Sequence, residues 1–230
     1  MDKKTINQLN KLNTEFYLKT QVYFNRTRQF YWAGWQKLLP HLKKQIKLLD
    51  VGCGNGRLGK FLKENNLKIE YTGMDNNQYL LDEAKKDLPK AKLINQDIYQ
   101  EWKLKDKFEA IAILGVIHHV PGVENRIEML KRAKKQLKPG GLLILSIWQF
   151  KNVERLKKKI VKNHGLKGLE KNDYILKWEK GVKAQRYCHF IDNQEIKRIL
   201  GQLKMKLVDE FESDAKEGIG NKYIILKLED

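Results

Sequence analysis

The sequence predicts an α/β fold: a doubly wound, mostly parallel sheet that ends in an antiparallel strand pair. Three observations predict it. Apolar strand-like runs alternate with amphipathic helical stretches from residue 46 to residue 148. A Gly-rich segment, LLDVGCGNGRL (48–58), takes in the end of the first run. Two alternating segments, 205–213 and 222–229, close the chain around an acidic, Gly-containing loop. Alternating strands and helices build parallel βαβ units with right-handed crossovers. The 230 residues suit one domain, 1–230, with enough length to bury a real core.

Each element follows from a local signal. Residues 1–45 read as an N-terminal helical cap rich in aromatics, among them Phe16, Tyr17, Tyr31, Trp32 and Trp35. IKLLDVG (46–52) is a short apolar run ending in glycine, and RLGKFLKENN (57–66) behind it reads as helix. IEYTGMD (69–75) is a second strand, QYLLDEAKKDL (78–88) a helix stopped by Pro89, and AKLINQD (91–97) a third strand. FEAIAIL (108–114) is continuously apolar, the pattern of a strand buried on both faces. ENRIEMLKRAKKQLK (124–138) places Ile127, Leu130 and Leu137 at helical spacing and stops at Pro139-Gly140-Gly141. LLILSIW (142–148) completes the core, 46–148. Residues 149–190 interrupt the fold, and YILKW (174–178) is too apolar for a linker, so a basic, helical lid insertion is expected. NQEIKRILGQL (193–203) is the last helix; with the terminal pair, 191–230 completes a seven-stranded sheet.

The net charge of +18 is unevenly spread. Residues 1–47 and 149–190 each carry a net +8, while the rest has 24 basic against 22 acidic residues. A uniform Lys-rich bias would not leave the middle neutral, so the asymmetry points to a polyanion, nucleic acid ahead of a membrane surface. No run approaches the ~20 apolar residues of a membrane helix. The segment MDKKTINQLNKLN lacks the apolar stretch of a secretory signal. Cys53 and Cys188 make neither a disulfide framework nor a zinc site, so no metal and a cytoplasmic, reducing location are expected.

The Gly-rich loop carries the chemistry. Gly52 and Gly54 permit a tight turn and close approach of a ligand to the backbone, and the following helix offers free N–H groups to an anion. A dinucleotide loop has glycine at relative positions 1, 3 and 6; here Gly52, Gly54 and Gly56 stand with Arg57 in the sixth place. Asp75 ends the second strand, where a carboxylate accepts ribose hydroxyls or else caps the next helix. Asp97 ends the third strand in the same way, with Ile98 beside it as an apolar face.

Asp50 before the glycines, Asn-Gly behind them and acidic strand ends in order resemble the class I S-adenosylmethionine-dependent methyltransferases, a Rossmann-like family. The resemblance implies S-adenosylmethionine as cofactor. It implies contacts from Asp50, Gly52, Cys53 and Gly54, then from Asp75 and Asn76, Asp97 and Ile98, and Leu114 and Gly115. Three further segments narrow the likeness. GVIHHVPGVENRIEMLKRAKKQLKPGG (115–141), FNRTRQFYWAGW (24–35) and RYCHF (186–190) resemble the tRNA wobble-uridine carboxymethyl methyltransferases, with Cys188 where the family has a Tyr. That likeness implies tRNA as partner, a small zinc-binding activator beside it, and Arg28, His119, Arg126, Arg186 and His189 around a substrate carboxylate. Each also has a plainer reading: Arg126 pairing with an acid such as Glu128, His118 as a hydrogen-bonded core residue. A methyltransferase of a small metabolite and a non-catalytic RNA-binding relative remain the alternatives.

Overall fold

The computed structural model describes residues 1–229. In chain order the elements are α1 (Lys3–Arg26), a 3-10 helix (Ala33–His41), β1 (Gln45–Val51), α2 (Arg57–Glu64), β2 (Lys68–Asp75), α3 (Gln78–Asp87), β3 (Lys92–Asn95) and β4 (Phe108–Leu114). There follow α4 (Val123–Gln136), β5 (Leu137–Trp148), α5 (Glu154–Lys157), β6 (Asp173–Trp178), β7 (Ala184–His189), α6 (Asn193–Leu203), β8 (Lys206–Ser213) and β9 (Asn221–Lys227). Seven strands form one sheet in the order β3-β2-β1-β4-β5-β9-β8. The first five run parallel, whereas β9 lies antiparallel between β5 and β8.

Alternation explains why the central strands are apolar throughout. On β1 and β4, Leu49, Ile111 and Ile113 face a layer built from α4 and α6 (Ile127, Leu130, Ile196, Ile199). Leu48, Ala110 and Ala112 face the other layer, where Phe61 and Leu62 of α2, Leu81 of α3 and Trp35 and Leu38 of the 3-10 helix pack. Helices on both sides leave these strands no solvated face, the condition for a parallel sheet. The helix starts follow their sequences: Asp2, Asn77 and Asp192 each accept a bond from a backbone N–H of the first turn, Thr5, Leu80 and Glu195 respectively.

The insertion differs from the helical lid that its Lys-rich sequence suggests. Only Glu154–Lys157 is helical, and the rest is organised by the antiparallel hairpin of β6 and β7. Val153 and Leu156 supply one helical turn with an apolar face; Ile160 then bridges to Leu176, and the Val161 N–H donates to the Ile175 carbonyl at 2.8 Å. Pairing with β6 therefore overrides helix propensity from residue 160 onward. Ile175 and Tyr187 of the hairpin pack on Leu9 of α1, so both basic segments lie together on one side of the molecule.

Candidate active site

β1 pairs with β2 on one side and β4 on the other, so the connections leave β1 in opposite directions and a crevice opens beyond the carboxyl ends of the strands. A pocket of about 470 Å³ occupies that crevice, within the few hundred to a thousand Å³ typical of ligand sites.

At the β1–α2 turn, Gly52 sits at φ +71°, and a Cβ there would meet Val116 Cγ2 at 2.4 Å. The close turn brings the Gly54 N–H to Asp75 Oδ2 at 2.8 Å, while Asp75 Oδ1 accepts from the Asn77 N–H at 2.9 Å. Burial pushes the Asp75 carboxyl upward, opposed by these backbone N–H groups. Asp50 is buried and accepts from the Tyr71 hydroxyl at 2.6 Å; burial pushes its carboxyl up to about 7, with Tyr71 pulling the other way. Arg57 opens α2 and donates to the Phe30 carbonyl at 2.5 Å, its guanidinium 5.5 Å and 5.2 Å from the Trp32 and Trp35 rings.

Two further guanidinium groups line the same pocket. Arg186 of β7 lies between Phe16 and Trp148, 5.1 Å and 4.9 Å from the ring centres. Arg28 lies 4.2 Å over Phe24, and its charge is opposed by burial and then by Arg57 and Arg186. Aromatic faces hold both guanidinium groups by cation–π attraction, and Arg28 Nη1 donates to Thr27 Oγ1 at 3.0 Å. No acidic side chain pairs with Arg28 or Arg186 among the described residues.

His119 is fixed by two hydrogen bonds. A carbonyl only accepts, so Nδ1–H donates to the Tyr187 carbonyl at 2.9 Å, and Nε2 accepts from the Tyr17 hydroxyl at 2.9 Å. Burial, then Arg186, pulls the imidazole down to about 3, so it stays neutral. His118, His119 and Cys188 bring ligand-type atoms within 4.8 Å of one another. Both His119 nitrogens are engaged, and burial holds the Cys188 thiol up to about 12. That leaves His118, whose buried Nδ1 has no partner among the described residues, and the trio suits packing better than a metal.

Nine of the ten expected cofactor residues line this one pocket: Asp50, Gly52, Cys53, Gly54, Asp75, Asn76, Ile98, Leu114 and Gly115. Asp97 is outside the lining, with Oδ1 accepting from the Tyr99 N–H at 2.9 Å. Arg28, Arg186 and His119 line the pocket as well. Arg126 and His189 do not, which corrects the expectation that they converge on the substrate. Arg126 is fully buried, with Nε on Glu195 Oε1 at 2.7 Å and an N–H on the Val120 carbonyl at 2.8 Å. His189 bridges Asp173 (Nδ1, 2.6 Å) and Glu195 (Nε2, 2.7 Å). The physical reason is local: alternation on β7 turns Arg186 toward the pocket, and His189, three residues on, to the other face. Glu195, and not Glu128, is the acid that takes Arg126.

Sequence reasoning expected a helical cap over 1–45 but missed Asn13 of α1. Leu9, Asn13, Phe16 and Thr20 form its buried stripe, and Asn13 donates to the His119 carbonyl at 3.2 Å and accepts from the Tyr187 N–H at 2.8 Å. A polar Asn on an otherwise core-facing helical stripe is the signal that could have found it. Arg155, Lys159 and Lys180 of the insertion also line the pocket.

The methyltransferase-domain family model matches residues 23–209. Probable tRNA methyltransferase 9B of Bos taurus is 27% identical over 173 residues, covering 75% of this chain and 34% of the relative. This chain thus spans about a third of that relative's length. Ubiquinone biosynthesis O-methyltransferase of Coxiella burnetii (strain Dugway 5J108-111) is 34% identical over 117 residues, 47% of this chain and 48% of the relative. Among solved structures, a SAM-dependent methyltransferase from Methanosarcina mazei superposes with a TM-score of 0.67 at 18% identity, covering 84% of this chain and 97% of the other, a likeness of fold. No helix among the described residues is long and apolar enough to cross a membrane.

Proposed function

The chain belongs to the methyltransferase-domain family, and on that premise we propose that it transfers the methyl group of S-adenosylmethionine to tRNA, at the carboxylate of a 5-carboxymethyl wobble uridine. The observation that carries this reading is the pair of cations without acidic partners in the donor pocket: Arg28 and Arg186 line the same cavity as Asp50 and Asp75 of the strand ends.

The strand-end residues fit the donor. On this reading Asp75 would accept ribose hydroxyls, Ile98 would offer an apolar wall for the adenine, and the turn before α2 with Arg57 would hold the methionyl carboxylate. Bound S-adenosylmethionine would supply an electrophilic methyl on a sulfonium: the acceptor oxygen would form the new O–C bond as the C–S bond breaks, its electron pair staying on the sulfur of the departing S-adenosylhomocysteine.

The two cations fit an acceptor that is already an anion. A carboxylate with a pKa of about 4 is ionised at neutral pH and has no proton to lose. A hydroxyl or amine acceptor needs a base, and His119, held near 3 by burial and Arg186, is a poor one. Arg28 and Arg186 would hold the carboxylate and aim one oxygen at the methyl, with the aromatic walls excluding water. Tyr17 acts beside them, its hydroxyl fixed by His119.

The test is methyl transfer from labelled S-adenosylmethionine to a tRNA anticodon stem-loop carrying 5-carboxymethyluridine. The label should enter that RNA, leave as methanol under mild alkali, and stay out of the same RNA with plain uridine. Label that survives alkali would mean an N- or C-methylated product; transfer only to small carboxylates or phenols would favour a metabolite enzyme.

A further inference from the structure

The outer end of the pocket carries a second group of cations, apart from the Arg28–Arg186 pair. Arg155 of α5, Lys159 just after it and Lys180 at the β6–β7 turn all line the pocket, Arg155 and Lys180 exposed and Lys159 half-buried. None of the three has an acidic partner among the described residues. The neighbouring lysines behave differently: Lys157 pairs with Glu154 at 3.5 Å and Lys177 with Glu179 at 3.2 Å. Burial, then Arg186, Lys180, Arg155 and Arg28, pull the Lys159 ammonium below the ordinary lysine value. Five positive groups thus line one pocket, and none of them has an acidic partner among the described residues.

The scaffold under these cations is fixed by the fold. The Lys159 carbonyl accepts from the Lys177 N–H at 2.9 Å. The buried Trp178 indole donates to the Lys180 carbonyl at 2.9 Å, and its ring packs on Phe16 of α1 at 5.8 Å. Gly181 turns the hairpin at φ +74°, where a Cβ would overlap the Tyr23 ring at 2.1 Å. Unpaired cations on a fixed rim, facing inward, form an anion site and not a solvated face.

We propose that Arg155, Lys159 and Lys180 form a phosphate subsite at the pocket mouth that grips the backbone of a single-stranded RNA loop while the target base enters between Arg28 and Arg186. This rests on the RNA reading above. The pocket of about 470 Å³ must also take the donor, and what remains admits no duplex, so the acceptor base must be unstacked and its flanking phosphates must stay at the rim. Three cations there meet the backbone, while the deeper pair is reserved for the base's carboxylate.

The experiment measures binding of a short RNA stem-loop by fluorescence anisotropy at several KCl concentrations, with S-adenosylmethionine binding measured in parallel by calorimetry. Combined Arg155→Ala, Lys159→Ala and Lys180→Ala should weaken RNA binding at least about tenfold. It should also flatten the slope of log K against log salt by about 0.7 for each phosphate that is no longer neutralised. Donor affinity should be unchanged, which also reports an intact fold. Lys157→Ala with Lys158→Ala, on the outward side, should cost far less. Undiminished affinity and slope in the triple variant, or an equal loss in the outward pair, overturns the subsite and leaves the RNA substrate standing. Displacement of the RNA by an equal phosphate concentration of a nucleoside monophosphate would overturn it in favour of a free-phosphate site. Failure of the unmodified protein to bind the RNA at all would remove the RNA reading itself.

Discussion

Asp75 is the residue through which loop and ligand meet. Both its oxygens already accept backbone N–H bonds, from Gly54 and Asn77, so the carboxylate is held at the strand end before any donor arrives. Asp75→Ala should weaken S-adenosylmethionine binding roughly tenfold to a hundredfold, the scale of removing a charge-assisted hydrogen bond of about 1.5–3 kcal/mol. Calorimetric titration checks this, and unchanged affinity in a folded variant would place the ribose-binding group elsewhere. Arg186 differs in kind, because its guanidinium is stacked between Phe16 and Trp148. Arg186→Ala should lower kcat/KM by about a hundredfold or more, and Arg186→Lys should recover only part, since an ammonium keeps the charge but loses the planar fork. His119 stays neutral above about pH 3, so it adds no titration to the rate. Once the acceptor carboxylate is ionised, above about pH 5.5, it adds no further rise. The kcat/KM profile should then show only the Asp50 carboxyl, pushed up by burial to about 7, and a fall at high pH as Arg28, pulled down by burial and then Arg57 to about 9, loses its charge. A rate that climbs through pH 8–10 would identify a hydroxyl or amine acceptor.

Among the elements, the β6–β7 hairpin depends on a buried ionic clamp. Arg126 of α4, Glu195 of α6, His189 of β7 and Asp173 of β6 join four elements, and the Tyr187 hydroxyl adds a donor to Asp173 at 2.8 Å. Arg126→Ala would leave Glu195 buried with half its partners gone, and breaking such a pair costs about 3–5 kcal/mol. At roughly 2–4 °C per kcal/mol for a chain this size, the loss should show as a clear drop in Tm. Activity of the fraction still folded should persist, because Arg126 does not touch the pocket. The clamp also has a pH window. Burial opposes the His189 charge, but its bonds to Asp173 and Glu195 prevail and raise it above its ordinary 6.5. Its stabilisation is therefore complete below about pH 6.5 and is lost as pH rises through the folded value. Glu195 is held below its ordinary 4.5, despite burial, by His189 and Arg126. Its share is present above about pH 4.5 and is lost as pH falls through the folded value. Between pH 6.5 and 9, Tm should fall further for the unmodified protein than for His189→Gln; equal slopes in scanning calorimetry would mean that His189 is neutral when folded.

For the whole molecule, the sheet's reversal at β1 decides where ligands bind, and the hairpin with α1 decides which ones. Donor binding should stabilise the entire chain by linkage: at a hundred times its Kd, S-adenosylmethionine adds about 2.7 kcal/mol. Tm should rise by about 5–10 °C, whereas adenosine, without the methionyl carboxylate, should give a smaller shift at equal concentration. Equal shifts would mean that the turn before α2 and Arg57 do not hold the carboxylate.

The sequence by itself determined the sheet, because every determinant of it is local. IKLLDVG, FEAIAIL and LLILSIW carry their strand signal in their own apolar, β-branched residues, and Gly52, Gly54 and Asp75 are tied to strand ends by the turn they form. The donor end was legible for the same reason: its residues lie within a turn or two of a strand terminus. The acceptor end was not, since it is assembled by packing between residues far apart in the chain. Arg28 and Arg186 meet only because α1 packs along β7, and two basic segments that look independent become the walls of one pocket. Strand parity on β7, hidden while the insertion read as helical, turned Arg186 inward and His189 away. Local pattern fixes which face a residue shows within its element; only packing decides what that face meets, and here packing separated Arg126 and His189, as a structural clamp, from Arg28 and Arg186.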